Sequence, residues 1–411
     1  MTAQPPWLGA PSALADNPAL ATPLPRVLRP QRALPSEAVR PTRAEVNLAN
    51  LRHNLRVMQR AARGAEVWPV LKADGYGHGA KAVARTLERA GANGICVALL
   101  EEAVELRQAG IRLPILVMGG FYGRAWGEVL RHDLTPVVHE RSQIQALAEE
   151  VRFTGSEPLR VHVKVDTGMA RLGVSPAEVL AMAEAIRNQP EIVLDGLMTH
   201  FACADSGDQA SIARQLDVFD AATAGFASAG LCPRVRHAAN SAGTLESPRA
   251  RLDLVRPGIA VFGVAPRAGS CPELRPVMRV RTEVIALRDL EPGMSVGYGA
   301  TFTARRKSRI ATIPMGYADG LSRGLSNVGH VLVRGARVPI VGNVSVDMTT
   351  VDVSDVPGVR IGDECVVLGS QKGSAGEAAI GADEVAAALG TIPWEVLTSI
   401  SRRVPRFYRE P

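Results

Sequence analysis

The chain has 411 residues, 46% hydrophobic and 21% charged, with a net charge of +6, a length that supports two domains with substantial cores. Its lysines and arginines are interleaved with acids rather than gathered in a run or among aromatics, which argues against a nucleic-acid partner. The apolar runs of its central region are strand-sized, well short of the roughly 20 residues a membrane span requires.

Residues 1–40 are rich in proline and alanine and carry no periodicity, which predicts a disordered extension. Prolines at 5, 6, 11, 18 and 23 interrupt the apolar core a secretory leader would need, although Ala13-Leu14-Ala15 has the form of a cleavage site. A short strand, Val46-Asn47-Leu48, follows and is expected to pair with a second domain. From residue 65 to about 262 short apolar strands alternate with amphipathic helices. The strands begin near Trp68, Ile95, Pro114, Leu134, Val161, Val193, Val235 and Leu254, and the intervening helices include 142–152, 176–188 and 211–229. Eight strand-helix units without a Gly-x-Gly-x-x-Gly turn predict an α/β fold, a (β/α)8 TIM-like barrel over residues 41–275. Around Val277 the pattern changes to short valine-rich strands at 277–287, 309–314, 331–333, 349–353 and 364–368, a C-terminal mostly-β domain over 276–411. Two short helices, at 382–389 and 393–401, close it. Cys96, Cys203, Cys232, Cys271 and Cys365 are widely spaced and lack metal-ligand patterning, which predicts reduced thiols, no metal and a cytoplasmic protein.

The most informative stretch is Val70-Leu71-Lys72-Ala73-Asp74-Gly75-Tyr76-Gly77-His78-Gly79. A lysine at the end of a buried strand must be paired, reach solvent in a cleft or lose its charge to chemistry, and Schiff-base formation with an aldehyde does the last. The glycines allow a sharp turn and close approach to a ligand, and the Tyr76 hydroxyl suits a phosphate oxygen. A strand-end lysine snorkelling above a glycine turn fits the same residues.

This run resembles the pyridoxal-phosphate lysine signature of alanine racemases, and further matches follow in the same order. They are Lys164-Val-Asp-Thr-Gly-Met-Ala-Arg171-Leu-Gly, Thr199-His200-Phe201, Asn240-Ser241, Arg256-Pro-Gly258-Ile259, Gly297-Tyr298-Gly299 and Gly316-Tyr317-Ala318-Asp319-Gly320. The resemblance runs from about Arg43 to the C-terminus. It implies a pyridoxal 5'-phosphate enzyme that interconverts L- and D-alanine, supplying D-alanine for peptidoglycan or degrading it. Lys72 and Tyr298 are then the two catalytic bases. Tyr76, His200, Asn240, Ser241, Arg256, Gly258, Ile259 and Trp394 would surround the cofactor, and Arg171 and Val346 would bind substrate. Lys164, as a carbamylated lysine, Tyr317 and Asp347 would support them. An arginine facing the pyridine nitrogen cannot readily give up a proton, which keeps the ring a weaker electron sink and suits racemisation.

Read alone, His200 fits a satisfied core histidine, Asn240-Ser241 a helix cap and Tyr298 a turn tyrosine. Two departures from the family stand out. Trp394 replaces a usual tyrosine, and Ser345-Val346-Asp347 replaces a usual Cys-Met-Asp. The resemblance further implies a homodimer with active sites shared between chains. A broad-specificity racemase of the same fold and a non-catalytic pyridoxal-phosphate-binding protein are the alternatives; the first usually carries asparagine in place of Lys164, and the second resembles the barrel alone.

Overall fold

The computed structural model describes residues 38–119 and 125–410, so the disorder expected of the first 37 lies outside the described residues. Where description begins the chain is already anchored: Arg40 Nη2 meets Oδ1 of the fully buried Asp319 at 2.7 Å.

Eight parallel strands form the barrel: β2 (Glu66–Val67), β3 (Ile95–Val97), β4 (Ile115–Val117), β5 (Thr135–Val138), β6 (Leu159–Lys164), β7 (Ile192–Met198), β8 (Val235–His237) and β9 (Leu254–Val255). Each begins within two residues of its expected start. Strands β3 to β8 make one sheet in sequence order. The ring closes through the pairing of β2 with β9, a Val70–Cys96 bridge to the β3 side, and a 2.9 Å bond from Arg256 N to Ala239 O beside β8. The sequence predicts a strand running into Lys72, whereas β2 ends at Val67. Pro69 has no N–H to continue a ladder. Bonds of ladder type nevertheless go on around it, from Val70 N to Pro257 O at 2.9 Å and from Leu71 N to Cys96 O at 2.8 Å.

The helices clothe the barrel by their spacing. Arg141–Thr154 buries Ile144, Leu147, Ala148 and Val151, an i, i+3, i+4, i+7 stripe, and stops at Gly155 with φ 65°. Each such side chain taken from water contributes roughly 1.5–3 kcal/mol.

The second domain is built on a sheet in the order β16-β15-β18-β10-β1-β20, with β19 also paired to β18. Here β1 is Arg43–Asn47, β10 Met278–Glu283, β15 His330–Val333, β16 Ala336–Pro339, β18 Glu364–Gly373, β19 Gly376–Ile380 and β20 Arg406–Arg409. A second sheet joins β11 (Ala286–Leu290), β14 (Ser308–Ile313) and β17 (Thr349–Asp352), beside a hairpin of β12 (Ser295–Val296) and β13 (Phe302–Thr303). The short first strand does pair with this domain: Val46 faces Met278 antiparallel and Ala44 faces Arg406 parallel. Buried Glu45 fixes it there, accepting from Arg281 Nε at 2.9 Å and Arg409 Nη2 at 2.6 Å on either side. The single strand expected at 277–287 is two, because the chain changes sheet. Val284 N bonds Asp363 O and the next amide, Ile285 N, bonds Thr312 O, both at 2.9 Å.

Candidate active site

Lys72 opens a short turn, Lys72–Tyr76, at the C-terminal mouth of the barrel. Ala73, Asp74, Gly75 and Tyr76 have φ of 52°, 57°, 64° and 50°. A left-handed helical turn costs roughly 1–2 kcal/mol for each residue with a Cβ, so its surroundings must impose it. Glu102 does part of this, with Oε1 accepting from Ala73 N at 2.6 Å and Oε2 from Ala98 N at 2.9 Å. Asp74 Oδ1 accepts from Ala80 N at 2.7 Å, and Gly75 N reaches Leu71 O at 2.8 Å. The Lys72 side chain is partly exposed, yet desolvation of its ammonium, then the Arg171 guanidinium, lowers its pKa against an opposing pull from Glu102.

Below the turn lies a cradle of hydrogen-bonding groups. Buried Tyr76 packs its ring on Phe262 at 5.2 Å and lays its hydroxyl against Gly258, where an added Cβ would lie 2.5 Å from it. Desolvation raises the Tyr76 pKa and keeps the phenol protonated. Ser241 Oγ accepts from Gly258 N at 2.9 Å and Ala260 N at 3.3 Å, leaving its proton to donate. The Ile259 amide opens a 3-10 turn and has no acceptor among the described residues. Asn240 is committed otherwise: its Oδ1 caps the Ser241–Glu246 helix through Gly243 N at 2.9 Å. Tyr76, Ser241 and Ile259 thus offer convergent donors of the kind a phosphate takes.

The mouth carries more positive than negative charge. Arg256, 2% exposed, gives Nη2 to Thr199 O at 2.8 Å and Ala238 O at 3.1 Å, and burial lowers its pKa to about 10. His200 Nδ1 stands 3.4 Å from the same nitrogen, and desolvation, then Arg256, Lys164, Arg171 and Lys72, take its pKa down to about 3. Lys164, 5% exposed at the end of β6, is lowered to about 8 by desolvation and then by Arg171 and Arg256. Arg171 rides a loop fastened by Asp166, whose Oδ1 accepts from Gly168, Met169 and Ala170 N at 3.0–3.1 Å. Burial and the neighbouring cations together disfavour the charged forms of Lys72, Lys164 and His200, the electrostatics of a site shaped for an anionic ligand.

The remaining expected residues gather elsewhere. Tyr298, 77% exposed, stands between Gly297 and Gly299, both at positive φ, and its backbone oxygen accepts from Asn343 Nδ2 at 2.8 Å. Tyr317 N bonds Ser345 O at 3.0 Å and Ala318 N bonds Val346 O at 3.1 Å, so Tyr317, Val346 and Asp347 share one edge of the β domain. Asp347 is held by Arg403 at 2.6 Å. No hydrogen bond or ion pair among the described residues joins this group to Lys72, Arg171 or His200. Half-buried Trp394 belongs with the barrel set, on the Pro393–Ser399 helix that packs against the Lys72 turn.

Sequence reasoning missed Glu102 and a line of buried polar groups under the mouth: His237, His162 and Asp195. His162 lies two residues before Lys164 on the same inward face of β6, a period-two signal that could have revealed it.

A closed parallel barrel with a lysine on a strained turn among uncompensated cations, extended by a separate β domain, defines a two-domain, lysine-centred barrel built to hold a small anionic group. The alanine racemase N-terminal domain model matches residues 46–266 and the alanine racemase C-terminal domain model residues 277–408. An alanine racemase of Sorangium cellulosum is 59% identical over 379 residues, spanning 91% of this chain and all of that one, and one from Desulfovibrio desulfuricans is 41% identical over 375 residues, spanning 90% and 99%. Among solved structures, an alanine racemase from Streptomyces coelicolor superposes with a TM-score of 0.86 at 37% identity, covering 91% of this chain and 99% of that one. A biosynthetic alanine racemase from Pseudomonas aeruginosa gives 0.80 at 37%, covering 90% and 100%. The chain belongs to the alanine racemase family.

Proposed function

We propose that this protein interconverts L- and D-alanine with pyridoxal 5'-phosphate, using Lys72 and Tyr298 as its two bases. The observation that carries this reading is the Lys72 ammonium, held on a strained turn with its pKa lowered, beside a donor cradle. When bound, pyridoxal phosphate supplies an aldehyde for covalent attachment and a conjugated ring that drains electrons as the substrate's Cα–H bond breaks. Tyr76, Ser241 and the Ile259 amide would take the phosphate, with Gly258, whose own amide holds Ser241 Oγ, giving it room to approach the backbone. Arg256 would donate to the ring nitrogen and His200 would pack beside the ring. Asn240, spent on its helix cap, supports the site by shaping the turn that carries Ser241.

Moving a proton from one face of a planar centre to the other needs a base on each face, and Lys72 Nζ can serve only one. Tyr298 Oη serves the other. Lys72 takes the proton of the D-enantiomer and Tyr298 that of the L-enantiomer, each returning one in the reverse direction. Arg171 would hold the substrate carboxylate, with Val346, Tyr317 and Asp347 shaping the wall around its methyl group. Because Tyr298 projects from the β domain apart from Lys72, the reading includes a homodimer in which each chain completes the other's site. It also keeps the barrel of residues 41–275 and the β domain of 276–411 as the two functional parts of a cytoplasmic enzyme.

Borohydride reduction of the loaded protein should leave the cofactor on Lys72 and, in Lys72→Ala, on no lysine. Chiral chromatography with each L-amino acid in turn should rank alanine first and serine second. A reduced cofactor on another lysine, or a specificity constant for lysine or arginine above that for alanine, overturns the reading.

A further inference from the structure

Beneath the mouth, a line of buried side chains runs down the barrel interior from Arg256. Arg256 Nη1 stands 2.5 Å from His237 Nδ1, His237 Nε2 stands 2.8 Å from His162 Nδ1, and His162 Nε2 stands 3.4 Å from Asp195 Oδ2. Both histidines are fully buried, and Asp195 is 8% exposed. Asp195 is held in turn by Arg234, whose Nε and Nη2 each donate at 3.1 Å, and Arg234 Nη1 reaches Glu66 at 3.2 Å.

One proton arrangement satisfies every member. A guanidinium has no acceptor, so Arg256 must donate and His237 Nδ1 must accept. A neutral His237 then carries its proton on Nε2 and donates it to His162 Nδ1. His162 likewise carries its proton on Nε2, where a carboxylate, which can only accept, receives it. Charging either ring would set donor against donor, and desolvation disfavours the charged form of both. The room for this line is built in: His162 lies beside Gly196 on β7, where an added Cβ would stand 2.6 Å from Nδ1.

We infer that His237 and His162 form a directed hydrogen-bond relay through which Asp195, at the far end of the barrel interior, acts as a positioning residue that fixes Arg256 as a donor at the mouth and supplies its distant counter-charge. Arg256 has no carboxylate partner of its own among the described residues; besides His237, its guanidinium meets two carbonyl oxygens and His200 Nδ1. The line therefore determines which way the guanidinium faces as well as how its charge is balanced. This rests on the proposed function only in that Arg256 would meet the cofactor ring. The relay itself is a property of the chain without cofactor.

The test is nitrogen NMR on histidine-labelled, cofactor-free full-length protein, which reports the tautomer of each ring. His162 and His237 are expected to be neutral with the proton on Nε2. In Asp195→Asn a neutral amide oxygen replaces the carboxylate as the acceptor for His162 Nε2–H, so both rings should keep the Nε2–H tautomer while the Nε2 resonances of His162, and of His237 behind it, move measurably from their parent values. Arg234→Leu breaks the same ion pair but keeps the carboxylate, and should leave both tautomers as in the parent. Gly196→Ala, which presses on the His162 ring, should perturb both resonances while the carboxylate is kept. After cofactor loading, Asp195→Asn should shift the visible absorption band and lower kcat by about tenfold with KM for alanine little changed. A proton on Nδ1 of either ring in the parent protein, or His162 and His237 resonances in Asp195→Asn identical to the parent's, overturns the relay. Parent-like tautomers in a protein that leaves alanine unracemised would instead count against the proposed function alone.

Discussion

Lys164 concentrates the electrostatic problem of the site in one side chain. Its pKa in the folded chain, about 8, lies below its ordinary 10.5. Between those values the unfolded chain binds more protons than the folded one, so stability rises with pH there; below about 8 the whole cost of burying the charge is borne. Cofactor-free protein in CO2-free buffer should therefore gain on the order of 3 kcal/mol of unfolding free energy across that interval, and Lys164→Met should flatten the rise. With bicarbonate present, the neutral amine can attack CO2 and lose a proton. The carbamate so formed replaces a cation with an anion able to hold Arg171. The pH-dependent gain should then disappear, and crystals grown near neutral pH should show density beyond Nζ; density ending there rules the modification out. Gly258 gives a second test. Gly258→Ala would drive a methyl group against the Tyr76 hydroxyl and should weaken cofactor binding by about tenfold or more in a spectrophotometric titration, with secondary structure unchanged. Lys72 was legible because a strand, a lysine and a glycine turn adjoin in sequence. The two relay histidines meet only after folding, 75 residues apart, and each alone reads as core. Glu102 reads as an ordinary acid in the first turn of its helix.

The Lys72 turn was predicted as a strand end and a glycine turn, and its left-handed winding had no sequence signal. Only Gly75, among Ala73, Asp74, Gly75 and Tyr76, favours that conformation. The contacts that enforce it come from other elements. The barrel strands were legible because strands buried on both faces are continuous apolar runs; the break within 277–287 was not, since alternation persists while the partner sheet changes. Ala73→Gly should relieve part of the strain and raise the unfolding free energy by about 1 kcal/mol, while lowering kcat because Lys72 is less firmly aimed. Thermal unfolding and steady-state kinetics on one preparation would check both. The Pro393–Ser399 helix bears directly on this turn: Gly77, at φ 80°, leaves no room for a Cβ beneath the Leu397 carbonyl. Trp394 lies on that helix, three residues before Leu397. Indole is larger than phenol and, unlike it, cannot accept a hydrogen bond, so Trp394→Tyr should restore a hydroxyl at the phosphate end and tighten cofactor binding while leaving alanine the preferred substrate. A switch of preference would assign substrate choice to this position.

For the whole molecule, the separation of Tyr298 from Lys72 makes a sharp prediction. Lys72→Ala and Tyr298→Phe proteins, each inactive, should regain activity when unfolded and refolded together, since every mixed dimer would hold one site with both bases and one with neither. Verified mixed dimers that stay inactive would place each site within a single chain. The seven-stranded sheet carries a different consequence. Strand β1 is enclosed by β10 on one side and β20 on the other, and Arg409 meets Glu45 across 364 residues. A chain growing from the ribosome makes β1 before any barrel strand, yet its second edge stays bare until residues 406–409 emerge. The first strand of the described residues is thus sealed only after the barrel and the rest of its sheet are made, and until then it offers an open edge to neighbouring nascent chains. Removing β20 should make that state permanent, so a truncated product would carry a complete barrel and still aggregate.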